Sequence, residues 1–202
     1  NEKSVEGIPY GVGGISSAWF KHKGHEFYAF QYALDSAGTQ IGFFNEEGKK
    51  MRRPFLMAPV KYSRISSGFS GRRFHPVQKR WKAHLGTDYA APKGTSIMST
   101  ANGTVVAASY TSGNGNYVKV KHNKTYTTQY LHMTRLAKGI HKGVYVEQGQ
   151  TIGYVGSTGL ATGPHVCYRF WKKGKQTDHR AEKFPSSIPM IDSLLPSYMD
   201  YI

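Results

Sequence analysis

Four side chains in two short segments could do chemistry together. His84 and Asp88, within His84-Leu85-Gly86-Thr87-Asp88, set an imidazole and a carboxylate four positions apart. His165 and Cys167, within Gly163-Pro164-His165-Val166-Cys167, set an imidazole and the chain's single thiol two positions apart. Imidazole, carboxylate and thiolate are the donors of a tetrahedral zinc site, and three of them leave a fourth position for water. Zinc held this way can lower the pKa of water from about 15.7 to about 7. A spare imidazole can orient that water and move its proton. His132, at the end of another extended run, is a further candidate. The residues alone leave open which of His132, His165 and Cys167 join His84 and Asp88. Any one histidine would more often be a surface or hydrogen-bonded residue; the combination carries the reading.

These side chains need elements that aim them. Positions four apart share a face in a helix and in a strand. Gly86 and the following Ala90-Ala91-Pro92 argue against a helix, so His84 and Asp88 are expected on an extended segment. Strands are expected at 103–108, 116–122, 125–132, 150–155 and 165–171, each bounded by Gly, Asn or Pro. In Asn116-Tyr117-Val118-Lys119-Val120-Lys121 the valines face one way, Tyr and Lys the other. The same period places Tyr126, Thr128, Tyr130 and His132 on one face. Asn123-Lys124 is a candidate two-residue hairpin turn.

The flanking regions read differently. The first 55 residues are aromatic-rich, with strands expected at 25–32 and 41–44 and a turn at Asn45-Glu46-Glu47-Gly48. His22, His25 and Glu26 do not form the metalloprotease helix pattern, because the Glu follows the second His, and they read as surface polar residues. Beyond about Asp178 the chain is Pro-rich, with a short amphipathic stretch at 190–195. The expected organisation is a small β-rich accessory unit over 1–56, a catalytic domain over 57–180 and a tail over 181–202.

Bulk composition narrows the classes. With 202 residues, 39% of them hydrophobic, the chain can bury a full domain core, and 23 glycines and 9 prolines favour short strands joined by turns. No apolar run reaches the roughly 18 residues of a membrane-spanning helix. The polar start at Asn1, which is not an initiator Met, reads as a mature or trimmed form without a signal peptide. A net charge of +15 calls for an anionic partner. The basic residues lie in scattered pairs without a zinc-finger, RNP or helix-turn-helix pattern, which argues against nucleic acid; an anionic cell-wall polymer fits the charge equally well. One cysteine excludes an internal disulfide. The half-motifs at 103–107 and 146–153, similar to lipoyl and biotinyl carriers, lack the attachment lysine.

Five segments then resemble a known family: Arg64-Ile65-Ser66-Ser67-Gly68-Phe69-Ser70, Arg73-Phe74-His75-Pro76, His84-Leu85-Gly86-Thr87-Asp88-Tyr89-Ala90-Ala91-Pro92, Tyr130-Leu131-His132-Met133, and Gly156-Ser157-Thr158-Gly159-Leu160-Ala161-Thr162-Gly163-Pro164-His165. Together they resemble the LytM/lysostaphin-type zinc endopeptidases of bacterial cell walls, more closely the Gram-negative members. The resemblance covers about residues 41–175. It implies a mainly β, antiparallel fold with a groove over one zinc ion. It also implies hydrolysis of peptidoglycan cross-links, of the D-Ala–diaminopimelate type, in the periplasm or cell envelope.

Carried over by position, the resemblance makes His84 and Asp88 metal ligands, His132 and His165 catalytic imidazoles, and residue 167 the third ligand. The family has histidine there; this chain has Cys167. A thiolate in place of a neutral imidazole keeps a competent ligand. It lowers the charge of the centre by one, weakens the Lewis acid and adds sensitivity to oxidation. His75, Arg72, Arg73 and Tyr130 fall near the groove by the same resemblance, which implies contact with substrate or, equally for His75, a structural role. His122, His141 and His179 have no motif support and read as surface residues. Relatives carry an upstream domain that covers the groove, so residues 1–55 are expected to contribute partial self-inhibition. The rival reading is a degenerate, non-catalytic domain that binds peptidoglycan or activates an amidase.

Overall fold

Residues 2–5, 8–12, 14–75, 79–184 and 189–202 are described by a computed structural model, with backbone only for residues 2–12, His75 and Arg80. The chain divides into two units, Phe55–Phe184 and a smaller one made of Asn1–Pro54 with Pro185–Ile202.

The smaller unit holds the hairpin β1 (Glu2–Val5) and β2 (Ile8–Val12) and an antiparallel sheet of β3 (Ser17–His22), β4 (His25–Ala33) and β5 (Ile41–Phe44). The expected turn after β5 forms as Asn45 Oδ1 accepts from the backbone N–H groups of Glu47 (3.2 Å) and Lys49 (2.8 Å). The separate tail expected over 181–202 is not what the structure holds. Its residues from Pro185 belong to the small unit, and its helix, α1 (Leu195–Tyr201), starts where the amphipathic stretch was expected to end. Pro196 in the first turn suits that start, since a helix leaves its first N–H groups unpaired. Tyr198 is fully buried beside Phe44 and Met190, and its hydroxyl donates to the carbonyls of Phe44 (3.1 Å) and Asn45 (2.8 Å).

The larger unit contains β6 (Arg64–Ser67), β7 (Ser70–His75), β8 (Arg80–His84), β9 (Thr87–Ala90), β10 (Ser96–Met98), β11 (Gly103–Thr111), β12 (Gly115–Lys121), β13 (Tyr126–Leu136), β14 (Tyr145–Val146), β15 (Thr151–Val155), β16 (His165–Lys172) and β17 (Lys175–Thr177). Its main sheet runs β14-β11-β12-β13-β16-β9-β6, with β15 on β13, β10 on β15 and β17 on β16; β7 and β8 form a separate hairpin. All these pairs are antiparallel.

Alternation explains the core. Val118 and Val120 are wholly buried, while Lys119 between them extends its amine over the Trp171 ring, 4.5 Å from the centroid. Each such valine contributes roughly 1.5–3 kcal/mol by leaving water. The expected two-residue turn at Asn123-Lys124 is longer: 122–125 connect the strands, and Asn123 Oδ1 accepts from the N–H groups of Thr125 and Tyr126 at 2.8 and 2.9 Å. Among the described residues no helix is long and apolar enough to cross a membrane.

Candidate active site and metal centre

Three strands bring the candidate donors together. Cys167 on β16 stands directly opposite Asp88 on β9, so both side chains share one face, and the turn from β8 to β9 returns His84 to it. That turn needs Gly86: a Cβ there would sit 3.0 Å from Arg169 Cγ and from the Tyr168 carbonyl, and 3.1 Å from Cys167 Sγ. One ligand atom from each of His84, Asp88 and Cys167 falls within 4.8 Å of the others. His165 Nε2 is 3.9 Å from Asp88 Oδ1, and the His165 and His132 rings lie 4.8 Å apart. An open cavity of about 360 Å³ lies over these groups.

The histidines are oriented alike. His84 Nδ1 is 2.9 Å from the Gly68 carbonyl, His132 Nδ1 2.8 Å from that of Thr158, and His165 Nδ1 2.8 Å from that of Gly163. A carbonyl only accepts, so each Nδ1 carries a proton, which fixes the tautomer in which the neutral form of the ring has its lone pair on Nε2. Such a bond on the far nitrogen is the usual support of a metal-binding histidine.

The donors fit a metal cation. His84 Nε2 lies 3.0 Å from Asp88 Oδ1, yet this buried oxygen has no hydrogen-bond partner. A lone pair facing a carboxylate oxygen at that distance calls for positive charge between them, from a second proton on His84 or from a metal ion. The thiol of Cys167, 3.5 Å from His84 Nε2, completes a set that suits a metal. Burial raises the Asp88 pKa, but His84, His165 and Cys167 more than offset it, leaving the carboxyl below its usual range. Burial pushes the Cys167 thiol up, so it becomes thiolate only where a cation replaces its proton.

His132 does not reach the groove by the expected alternation. Leu131 stands opposite Cys167, so regular pleating would send His132 to the other face, with Tyr130. Its backbone instead takes φ +63°, and β13 shifts register between Met133 and Arg135. Left-handed backbone at a non-glycine residue costs about 1–3 kcal/mol, strain of the kind that collects at functional sites. Burial lowers the His132 pKa to about 4, so its ring is neutral at pH 7.

The remaining expectations separate. Arg73 lines the cavity, with Nη2 3.6 Å from Asp88 Oδ2 and Nη1 donating to Ser67 Oγ at 2.8 Å. Arg72 is exposed, with its guanidinium 5.1 Å from the Trp81 ring centroid, and does not line the cavity. Tyr130 is not a groove residue: it is fully buried, and its hydroxyl accepts from Thr100 N (2.8 Å) and Thr128 Oγ1 (2.9 Å). His75 falls on β7, but its side chain lies outside the described residues.

His122 and His179 are not free surface residues either. His122 bonds the Asn102 carbonyl and Thr128 Oγ1, both at 2.8 Å, and His179 bonds the Tyr89 hydroxyl at 2.7 Å. His141 is exposed. The sequence reading passed over Lys82 and Arg169, which also line the cavity. Lys82 lies two before His84 and Arg169 two after Cys167, so the period-two rule already marked their faces.

Fold and site define a metallopeptidase-type domain: residues 82–179 match peptidase family M23, and the chain carries a domain of that family. Over 186 residues it is 42% identical to the peptidoglycan DD-endopeptidase ShyC of Vibrio cholerae, an alignment covering 92% of this chain and 41% of that protein. The chain thus spans less than half the length of that relative. Among solved structures, a zinc-containing peptidase from Vibrio cholerae superposes with a TM-score of 0.61 at 32% identity, covering 91% of this chain and 55% of that one. Helicobacter pylori Csd3 matches with a TM-score of 0.56 at 28% identity, covering 99% of this chain and 53% of that one.

Proposed function

We propose that this chain is a zinc peptidase that hydrolyses peptide cross-links of bacterial peptidoglycan, at the D-Ala–diaminopimelate amide, in the periplasm or cell envelope. The observation that supports it best is the approach of His84 Nε2 and His165 Nε2 to Asp88, with Cys167 beside His84 and the His132 ring next to His165, each of the three rings held by a backbone carbonyl. The peptidoglycan substrate follows the endopeptidase relatives.

In this reading His84, Asp88 and Cys167 hold the ion. Bound there, zinc supplies a Lewis acid that acidifies water and polarises the scissile carbonyl. His132, kept neutral by burial, and His165, whose Nδ1 is likewise bonded to a carbonyl, act through Nε2 as proton acceptors for the attacking water. Once protonated, either ring becomes an Nε2–H donor, able to stabilise the developing oxyanion and return the proton to the leaving amine. The carbonyls of Thr158 and Gly163 fix both rings in this tautomer throughout. The small unit is proposed to restrain access to the groove.

The rival, a degenerate module that binds peptidoglycan or activates an amidase, rests on Cys167 alone. It is not favoured, because Cys167 remains within coordinating reach of His84. The test is release of cross-linked muropeptides from purified peptidoglycan by zinc-loaded and chelator-treated protein. Loss of dimers only with zinc supports the enzyme, and product masses name the bond; no cleavage in either sample, nor by the zinc-loaded chain after removal of residues 1–55, overturns it.

A further inference from the structure

The cavity over the candidate metal site carries more positive charge than the metal reading uses. Arg73, Lys82 and Arg169 all line it, and among the described residues Asp88 is the one carboxylate in the lining. Arg73 and Lys82 are register partners across the β7–β8 hairpin, so two cations stand opposite each other on one face. Like charges so placed destabilise a hairpin unless an anion lies between them. Arg169 joins from β16, on the same face as His165 and Cys167, and its charge acts on both His132 and Cys167. Among the described residues neither Lys82 nor Arg169 pairs with a carboxylate; Arg73 alone approaches Asp88. A divalent ion would balance Asp88 and a Cys167 thiolate, so the three cations leave the lining with a net positive charge.

We propose that Arg73, Lys82 and Arg169 form a subsite for a carboxylate of the substrate placed next to the scissile amide. The inference rests on the peptidase reading above and deepens it. In an amide between D-Ala and diaminopimelate, the carbon bearing the leaving nitrogen also bears a carboxylate. When the carbonyl lies over the metal site, that group lies within a few bonds of it, where these cations line the cavity. Guanidinium binds carboxylate through charge-assisted, frequently paired hydrogen bonds. The chain would thus select cross-links with a free acid at this position over amidated ones.

The test uses two soluble cross-linked muropeptides that differ only there, as free acid or primary amide, with zinc-loaded wild type, Arg169→Gln, Lys82→Gln and Arg169→Lys. Wild type should prefer the free acid by about tenfold in kcat/KM, expressed mainly in KM. Arg169→Gln and Lys82→Gln should bring that ratio towards one, while Arg169→Lys, which keeps the charge, retains most of it. A wild-type ratio near one, or a parallel loss on both substrates in the Gln variants, overturns the subsite. If wild type cleaves neither substrate, the peptidase reading fails separately. Fluorescence anisotropy with the same labelled pair then decides: tighter binding of the acid supports the subsite, and equal affinity overturns it.

Discussion

Histidines occur in both units, and only one unit makes a site of them. His22 and His25 face each other across the β3–β4 hairpin, exposed, with Glu26 nearby bonded to Lys21 and the Tyr28 hydroxyl. His84, His132 and His165 are sheltered, and each has a backbone carbonyl fixing its far nitrogen. The residue types are shared, with a carboxylate close by in each case. What differs is the fixed tautomer and the convergence of lone pairs on a partly dehydrated carboxylate and thiol, which an exposed hairpin cannot provide.

The largest effect should come from removing a donor. Asp88→Ala or His84→Ala should abolish stoichiometric zinc binding and reduce cleavage on the order of a thousandfold, whereas His22→Ala with His25→Ala should change neither. Zinc content by atomic absorption together with muropeptide release checks both. If the hairpin variant loses zinc, the contrast between the two regions is wrong.

His132→Ala should cut turnover by about 10²–10⁴-fold while zinc stays bound. An emptied site would move His132 from proton transfer to metal binding.

Acid should weaken the fold through buried neutral histidines. Burial lowers the His179 pKa to about 4, as it does for His132. The unfolded chain takes up these protons first, so stability is full above about pH 6.5 and falls as the pH drops towards 4. Each histidine accounts for about 2 kcal/mol by pH 4.5. Urea unfolding of the metal-free chain at pH 7 and 4.5 reads the loss, and His179→Gln should shrink it.

The smallest effect compares two buried tyrosines. Tyr130→Phe and Tyr198→Phe each delete a bonded hydroxyl, in the larger and the smaller unit respectively, and should cost about 1–2 kcal/mol of unfolding free energy. Tyr130→Phe should leave KM unchanged; a raised KM would return Tyr130 to the groove.

Much of the fold was legible. Strands expected at 103–108, 116–122, 150–155 and 165–171 form within a few residues of those bounds, because alternating apolar residues between Gly and Asn punctuation leave few other solutions. The short helix was not legible: 190–195 reads only as an amphipathic stretch, and the helix begins at its end, at Leu195 beside Pro196. Tyr130 was misread because the resemblance places its motif at the groove without saying which way each side chain of the strand points, and Tyr130 points into the core beside Tyr168.

From the sequence by itself came the pool of donors: His84, Asp88, His132, His165 and Cys167 stand out by type and spacing, with the choice among the last three left open, as does the β architecture that must hold them. Tertiary structure alone decided how they point. The carbonyls of Gly68, Thr158 and Gly163 belong to the backbone, which has no side-chain signature, and they select the tautomers. The left-handed turn at His132 overrides the period-two pattern and delivers that ring to the groove. Local sequence sets which groups are available. Long-range strand pairing sets their faces, because register is a property of two strands and not of either one.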